Sequence, residues 1–419
     1  MKLLAGILLL ATSAFAQSAN RSPIDGIWEG FATVHGQQVP VRLQISGAGS
    51  DLKAALLNGP EQSAGSSAVF SDDHLVVNFN YYARSLDAKL ENGALTGTFG
   101  AVSGKAAASR FSFVLHPGTT HAALSSGPDI RGDWEIAVSS SKGESAWLLR
   151  VQPAGKQYGV HAVIQRIDGD TGSLYGSWDG TAYRVGRFTA AGAALYSLTP
   201  KSDSTLLVTN LLAPEAQRAQ AVDLVARRPE EARKQKLAAP TDSTQQTTMK
   251  DPSAPFAFSF PDLAGKVVSN TDPQFQGKVV IVAIGGSWCP NCHDEAPFLE
   301  SLYKQYHSKG LEIVDLSFEE DDQLKDPARL RAFIARYGLT YTVLVAGTPD
   351  ELQEKIPQAD HLNSWPTSFF LGRDGRVKEV HAGFAGPANP QGHEELEHEV
   401  TSLVTGLLAQ PASAQSAAQ

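Results

Sequence analysis

Cysteine is nearly absent from this chain of 419 residues: there are two, Cys289 and Cys292, three positions apart. Exported proteins use disulfides to close long loops and so limit the unfolded chain. A pair this close in sequence closes no such loop, so its retention points to reactivity rather than stapling. Methionine is as scarce, with only Met249 after the initiator, which removes the commonest distal ligand of a c-type cytochrome. No apolar run reaches the roughly 20 residues that cross a bilayer as a helix. Excess positive charge is lacking too: the formal net charge is -9, with -11 carried by residues 251–409 and +2 by the rest. The C-terminal part therefore has no basic surface of the kind that holds nucleic acid.

What the chain does contain begins with an N-terminal export pattern. Lys2, the apolar run Leu3 to Ala11 and the small-x-small Ala14-Phe15-Ala16 make residues 1–16 a predicted signal peptide, cleaved after Ala16. No cysteine follows it to accept a lipid. The mature protein is expected to be periplasmic or otherwise exported, and soluble, with no stable membrane span after cleavage. The length exceeds one ordinary hydrophobic core and predicts two or three domains.

Residues 23–228 alternate apolar and polar positions between Gly and Asn turns, as in Val39 to Ile45, Leu75 to Phe79, Arg110 to Leu115 and Trp147 to Val151. This is an all-β pattern. It also repeats: Gly26-Ile27-Trp28-Glu29 recurs as Gly132-Asp133-Trp134-Glu135, 106 residues later. Two β repeats are expected, 23–125 and 126–228. A Gly-x-Trp opening an antiparallel meander resembles the first strand of lipocalin-like barrels, and a sandwich with a core Trp fits the same residues. Residues 229–252 are rich in Glu, Lys, Gln, Thr and Ser and are predicted to be a flexible linker, and 409–419 a disordered Ala/Ser/Gln tail.

Between linker and tail, residues 253–408 change pattern. A leading hairpin (Phe256 to Phe260, Gly265 to Val268) precedes the continuous apolar run Lys278 to Ile284, which reads as a strand covered on both faces. Glu295, Phe298, Leu299, Leu302 and Tyr306 then share a helical face. A strand (Leu311 to Phe318), a helix (Pro327 to Tyr337), a strand (Thr340 to Val345), two strands around Asp374-Gly375 and a closing helix (Gly392 to Leu408) complete an α/β order that resembles the thioredoxin-like fold. The acidic run Glu319 to Asp322 is expected to be a solvated loop.

Trp288-Cys289-Pro290-Asn291-Cys292 lies where the first buried strand turns into the helix. Unpaired N–H groups and the dipole at a helix N-terminus favour thiolate over thiol, so Cys289 is the expected nucleophile. Cys292, one turn on, is the expected resolving thiol. Pro290 suits the first helical position, where no N–H is needed. A second signature, Trp365-Pro366-Thr367-Ser368-Phe369, opens a later strand.

Residues 253–408 resemble the TlpA/ResA-like branch of thioredoxin-fold thiol–disulfide oxidoreductases. The resemblance rests on Gly277-Lys278-Val279-Val280, Trp288-Cys289-Pro290-x-Cys292, Glu295, Pro297 and Trp365-Pro366-Thr367-x-Phe369. It implies a redox-active disulfide Cys289–Cys292 with no other cofactor and no metal, and a cis-proline at Pro366. It also implies target contacts from Trp288, Pro290, Trp365, Pro366 and Thr367. Partners would be exported proteins with cysteine pairs and a membrane or periplasmic thiol donor, often in cytochrome c maturation. The chain departs from that pattern at Ala283, where thioredoxins carry a buried Asp. Glu295 becomes the candidate proton carrier for Cys292.

Two rival chemistries share these residues. Cys289 to His293 also satisfies the C-x-x-C-H signature for covalent haem. A peroxidase of the related branch would carry Pro and Thr seven and three residues before its cysteine, where this chain has Val282 and Gly286.

Overall fold

The computed structural model describes residues 22–104, 110–118, 125–155, 157–213 and 224–411. The expected signal peptide 1–16 and residues 412–419 of the expected tail lie outside the described residues.

The two repeats are two antiparallel meanders. In the first, nine strands from Gly26–Val34 to Phe111–Pro117 follow sequence order, and the opening strand pairs with both its successor Gln37–Ser46 and the last strand. The ring is interrupted only between Glu61–Ala64 and Ser67–Ser71. In the second, Gly132–Ala137 pairs with both Ala146–Pro153 and Leu224–Arg227, and Ala146–Pro153 also pairs with Val160–Arg166. That ring is closed, which removes unpaired sheet edges. Of the two architectures compatible with the sequence, these are barrels. Alternation drives the curl: Val39, Val41, Leu43 and Ile45 face inward from one strand, Leu75, Val77 and Phe79 from another.

The repeated tryptophans do the same job twice. Trp28 and Trp134 are buried at the start of each opening strand, and each indole N–H donates to a carbonyl four residues back, Ile24 and Ile130, at 2.8 Å. The Arg228 guanidinium lies 3.7 Å over the Trp134 ring. Phe188 and Leu195 of the second barrel join the core of the first, with Phe188 5.0 Å from Phe99.

Residues 229–252 differ from the flexible linker expected of them. A short helix, Pro229–Lys234, is followed by a strap in which Thr248–Met249 pairs with Ala359–Asp360. Gln246 is buried and donates to the Lys142 carbonyl (2.6 Å) and to Asn363 Oδ1 (3.0 Å). Composition predicts disorder here because it counts only apolar burial; hydrogen bonds supplied from both sides order the strap instead.

The C-terminal domain has the thioredoxin-like order. Its strands are β1 (Val279–Gly285), β2 (Leu311–Phe318), β3 (Thr342–Gly347), β4 (Thr367–Leu371) and β5 (Val377–Ala382). Three helices are α1 (Pro290–Tyr306), α2 (Ala328–Tyr337) and α3 (Pro390–Ala409). The sheet runs β3-β2-β1-β4-β5, parallel across β1, β2 and β3 and antiparallel at β4 and β5. Every residue of β1 and β2 is buried. Helices α1, α2 and α3 supply the core on one face, through Leu299, Leu330 and Val404; the leading hairpin and Leu352 to Leu362 supply it on the other.

Trp134→Ala should destabilise the second barrel by about 3–5 kcal/mol, the usual cost of emptying an aromatic core site. The expected result is a lowered barrel transition in thermal melts while a thiol-reactivity readout of the C-terminal domain melts later.

Candidate active site

Cys289 caps α1. Its backbone is extended (φ -86, ψ 118), its Sγ accepts a hydrogen bond from the Cys292 amide at 3.4 Å, and Pro290 fills the first helical position. The Cys289 thiol also donates to the Trp365 carbonyl at 3.6 Å. The two cysteines are free thiols, 3 % and 5 % exposed. The peptide bond Trp365–Pro366 is cis. The Trp288 ring stands edge-on to Trp365 with centroids 5.4 Å apart, and its indole N–H donates to the Phe318 carbonyl. Trp288, Pro290 and Trp365 border the cavity beside Cys289. Thr367, expected among the target contacts, is instead fully buried and donates to the Ser364 carbonyl at 2.9 Å, so it braces the turn before β4.

Of the acidic run expected to be a solvated loop, Glu320 and Asp321 are exposed and Asp322 partly so, but Glu319 is not. Glu319 is fully buried, and its carboxylate accepts from the Ser287 amide (2.7 Å), the Ser287 hydroxyl (2.8 Å), the Ser317 hydroxyl (2.9 Å) and Arg329 Nη2 (2.8 Å). Arg329 also reaches Ser287 Oγ and Glu320. An ion pair survives in a core only when its lone pairs and protons are this fully satisfied. It fixes the loop that delivers Cys289.

His293 has both ring nitrogens engaged, Nε2 with the Ser287 carbonyl at 2.9 Å and Nδ1 with the Tyr337 hydroxyl at 3.0 Å. Burial holds its pKa down at about 3. Its ring stacks on Tyr82 of the first barrel, centroids 4.1 Å apart, and meets Phe333 edge-on. A haem ligand needs a nitrogen with an open approach; this imidazole is a packed, neutral brace.

Three groups surround Cys292. Burial, with the Cys289 sulfur and Glu295 nearby, pushes its thiol well above the ordinary range. Burial also lifts Glu295 to about 7, although the Ser368 hydroxyl, 2.8 Å from its Oε1, pulls the other way. The third is Asp315, which the sequence reading passed over. It lies on β2 directly across from Ala283. Its Oδ1 is buried without a hydrogen-bond partner. Burial, with Glu295 and Glu319 adding to it, raises this carboxyl well above its usual range. A Cβ on Gly285 would stand 3.3 Å from Cys292 Sγ and 3.7 Å from Asp315 Oδ1, so no side chain of β1 separates thiol from carboxyl. The one signal in the sequence was an Asp inside the otherwise mostly apolar run Leu311 to Phe318.

The N-terminal barrels reach this site. Besides the Tyr82–His293 stack, Arg336 of α2 lies 4.1 Å over the Tyr81 ring. From the second barrel, Asp168 accepts the Asn291 side-chain amide at its backbone carbonyl (2.8 Å) and the Trp365 N–H at its carboxylate (3.2 Å), and that carboxylate pairs with Lys142.

Residues 249–395 match the family model described as Redoxin. Over 122 residues the chain is 33 % identical to the thiol-disulfide oxidoreductase ResA of Bacillus thuringiensis (strain Al Hakam), covering 29 % of this chain and 64 % of that protein. It thus spans somewhat less than two thirds of that relative. Over 127 residues it is 32 % identical to the thioredoxin-like protein YneN of Bacillus subtilis (strain 168), covering 30 % of this chain and 68 % of that one. Among solved structures it is similar to a putative thiol:disulfide interchange protein DsbE from Chlorobium tepidum, with 26 % identity, a TM-score of 0.28, and coverage of 35 % of this chain and 93 % of that one. The site geometry, the family match and these two relatives lie in one and the same part of the chain, and through that C-terminal domain, a Redoxin domain, the protein belongs with the thioredoxin-like proteins.

Proposed function

We propose that this protein is a thiol–disulfide oxidoreductase that reduces disulfides of other exported proteins, with the Cys289–Cys292 pair as its whole redox equipment. The observation that carries the reading is Cys289 capping α1 with its sulfur against the Trp365 carbonyl beside Pro366. The Cys289 thiolate attacks one sulfur of a target disulfide; an S–S bond forms to the target, and the other target sulfur leaves as thiolate. Cys292 then loses its proton and attacks Cys289 Sγ, which expels the second target thiolate and leaves the protein oxidised. Regeneration calls for a thiol donor in the membrane or periplasm. Supply of reduced cysteines to cytochrome c maturation is the route that the resemblance to the ResA branch suggests.

Glu295 is the group proposed to take the Cys292 proton, with Asp315 as a second buried carboxyl beside it. Both are close to the sulfur and dry, and a base held near neutrality is well matched to proton transfer in that setting. Trp288, Pro290, Trp365 and Pro366 form the border that a target meets.

Cys292→Ser should stop the reaction at the mixed disulfide. Non-reducing gels of cells carrying this variant should show adducts through Cys289 that dithiothreitol dissolves; adducts formed only by Cys289→Ser would reverse the two roles.

Glu295 also predicts a pH dependence of stability. Its folded pKa, about 7, lies above the ordinary 4.5. Between those values the folded chain holds a proton that the unfolded chain has lost, so stability falls as pH rises through the window, by about 3 kcal/mol in all. Glu295→Gln should therefore melt higher than the parent at pH 8 and with it at pH 4. The same variant should slow Cys292 attack at least about tenfold, measured by single-turnover kinetics.

A further inference from the structure

The corner of the second barrel formed by Ile167 to Asp170 is built into the redox domain. The Asp168 carbonyl accepts from Asn291 Nδ2 at 2.8 Å and from the Phe384 amide at 3.3 Å, and Gly169 bridges to Phe384 in parallel. Both backbones are glycine where they touch. A Cβ on Gly169 (φ +122) would stand 2.2 Å from the Phe384 carbonyl oxygen, and one on Gly383 (φ +73) 2.0 Å from that of Ile167. Any other residue would strain its own backbone and hold the two segments apart.

The contact falls on one backbone donor. Trp365 N–H lies next to the carbonyl that touches the Cys289 thiol, and it is bonded to Asp168 Oδ1 at 3.2 Å. An extended chain that brings a disulfide to Cys289 would add to this edge through main-chain hydrogen bonds, the ordinary mode of strand addition. The carboxylate takes that place. What stays open beside Cys289 is a cavity of about 270 Å³ whose wall brings Lys142, Arg166 and Arg187 together with Asp168, Asp170 and Trp288. Lys142 is paired with Asp168, which leaves two guanidinium groups, Arg166 and Arg187, against the single carboxyl of Asp170, a net positive wall that favours a carboxylate.

We propose that Asp168 is a specificity-determining residue: docked on Trp365, it restricts the redox pair to small, carboxylate-bearing disulfides, and reduction of an extended protein segment requires the barrel corner to leave. This rests on the reading of Cys289 and Cys292 as a redox pair. The chemistry balances on the dithiol: Cys289 displaces one thiolate from the small disulfide, Cys292 displaces the second from Cys289, and the two electrons gained by the substrate leave the protein as the Cys289–Cys292 disulfide. The glycine contact and the bonds to Asn291, Trp365 and Phe384 lie between domains, while Ile167 and Asp170 stay bonded within the barrel, so the corner leaves together with its barrel and neither fold breaks.

The test uses the full-length, pre-reduced protein in single turnovers with dithiodiglycolate and with insulin. Losing a charged acceptor at Trp365 should shift the balance by at least about tenfold, so Asp168→Ala should raise the insulin-to-dithiodiglycolate rate ratio by that factor. Labelling of Cys289 by a polyethylene-glycol maleimide should rise in parallel. An unchanged ratio with unchanged labelling would overturn the proposal. Labelling of Cys292 as well would mark a failed fold; Lys142→Ala, which removes the ion partner of Asp168 and one cation of the cavity, then takes its place with the same expected direction. No reaction with either disulfide in any of these proteins would overturn the oxidoreductase reading itself, and the gate with it.

Discussion

The buried carboxylate of Glu319 is the interaction on which the site depends. Taking an acid and a guanidinium out of water costs several kcal/mol unless each finds partners, and here two serine hydroxyls, one amide and Arg329 meet the acid. Because one of those partners is the Ser287 amide, the position of the ion pair becomes the position of the loop between β1 and α1. His293 ties the same loop from the helix side through the Ser287 carbonyl. Cys289 is thus presented by a segment held at consecutive backbone groups, before packing of the sheet is considered.

The barrels complete that presentation from outside the domain. Aromatic rings of the first lie against His293 and Arg336, while a corner of the second lies against Asn291, Trp365 and Phe384. A domain of the thioredoxin-like kind commonly keeps its cysteine pair near the surface. This one has barrels folded against that surface, and the strap of residues 229–252 joins the two parts mainly through hydrogen bonds, with Met249 packed on the C-terminal core.

Elements governed by periodicity were legible in the residues. The expected strand Leu311 to Phe318 and the strand from Thr367 to Leu371 match the structure end to end, because a short, mostly apolar run that opens just after Gly310 or Pro366 leaves little choice. The placement of the cysteine pair at a helix start and the cis bond at Pro366 were legible for a similar reason, since spacing and local context mark them. Partners brought together by the fold were not. Glu319 read as part of a solvated run because four acidic residues in sequence say nothing of Arg329, ten positions on. Asp315 was hidden by its neighbours: its meaning lies in the register that sets it across from Ala283. Thr367 looked like a contact residue because the sequence marks its position, not the direction of its side chain. The covering of the site by Asp168, 121 positions before Cys289, left no trace in composition or spacing.

The low exposure of Cys289, 3 %, has a consequence beyond substrate choice. A cysteine thiolate that meets peroxide is moved up an oxidation ladder whose sulfinic and sulfonic rungs are in practice final. A sulfur this buried, with Asp168 bonded to the neighbouring Trp365 N–H, is kept out of reach of that chemistry. The same dryness that slows access preserves the thiol.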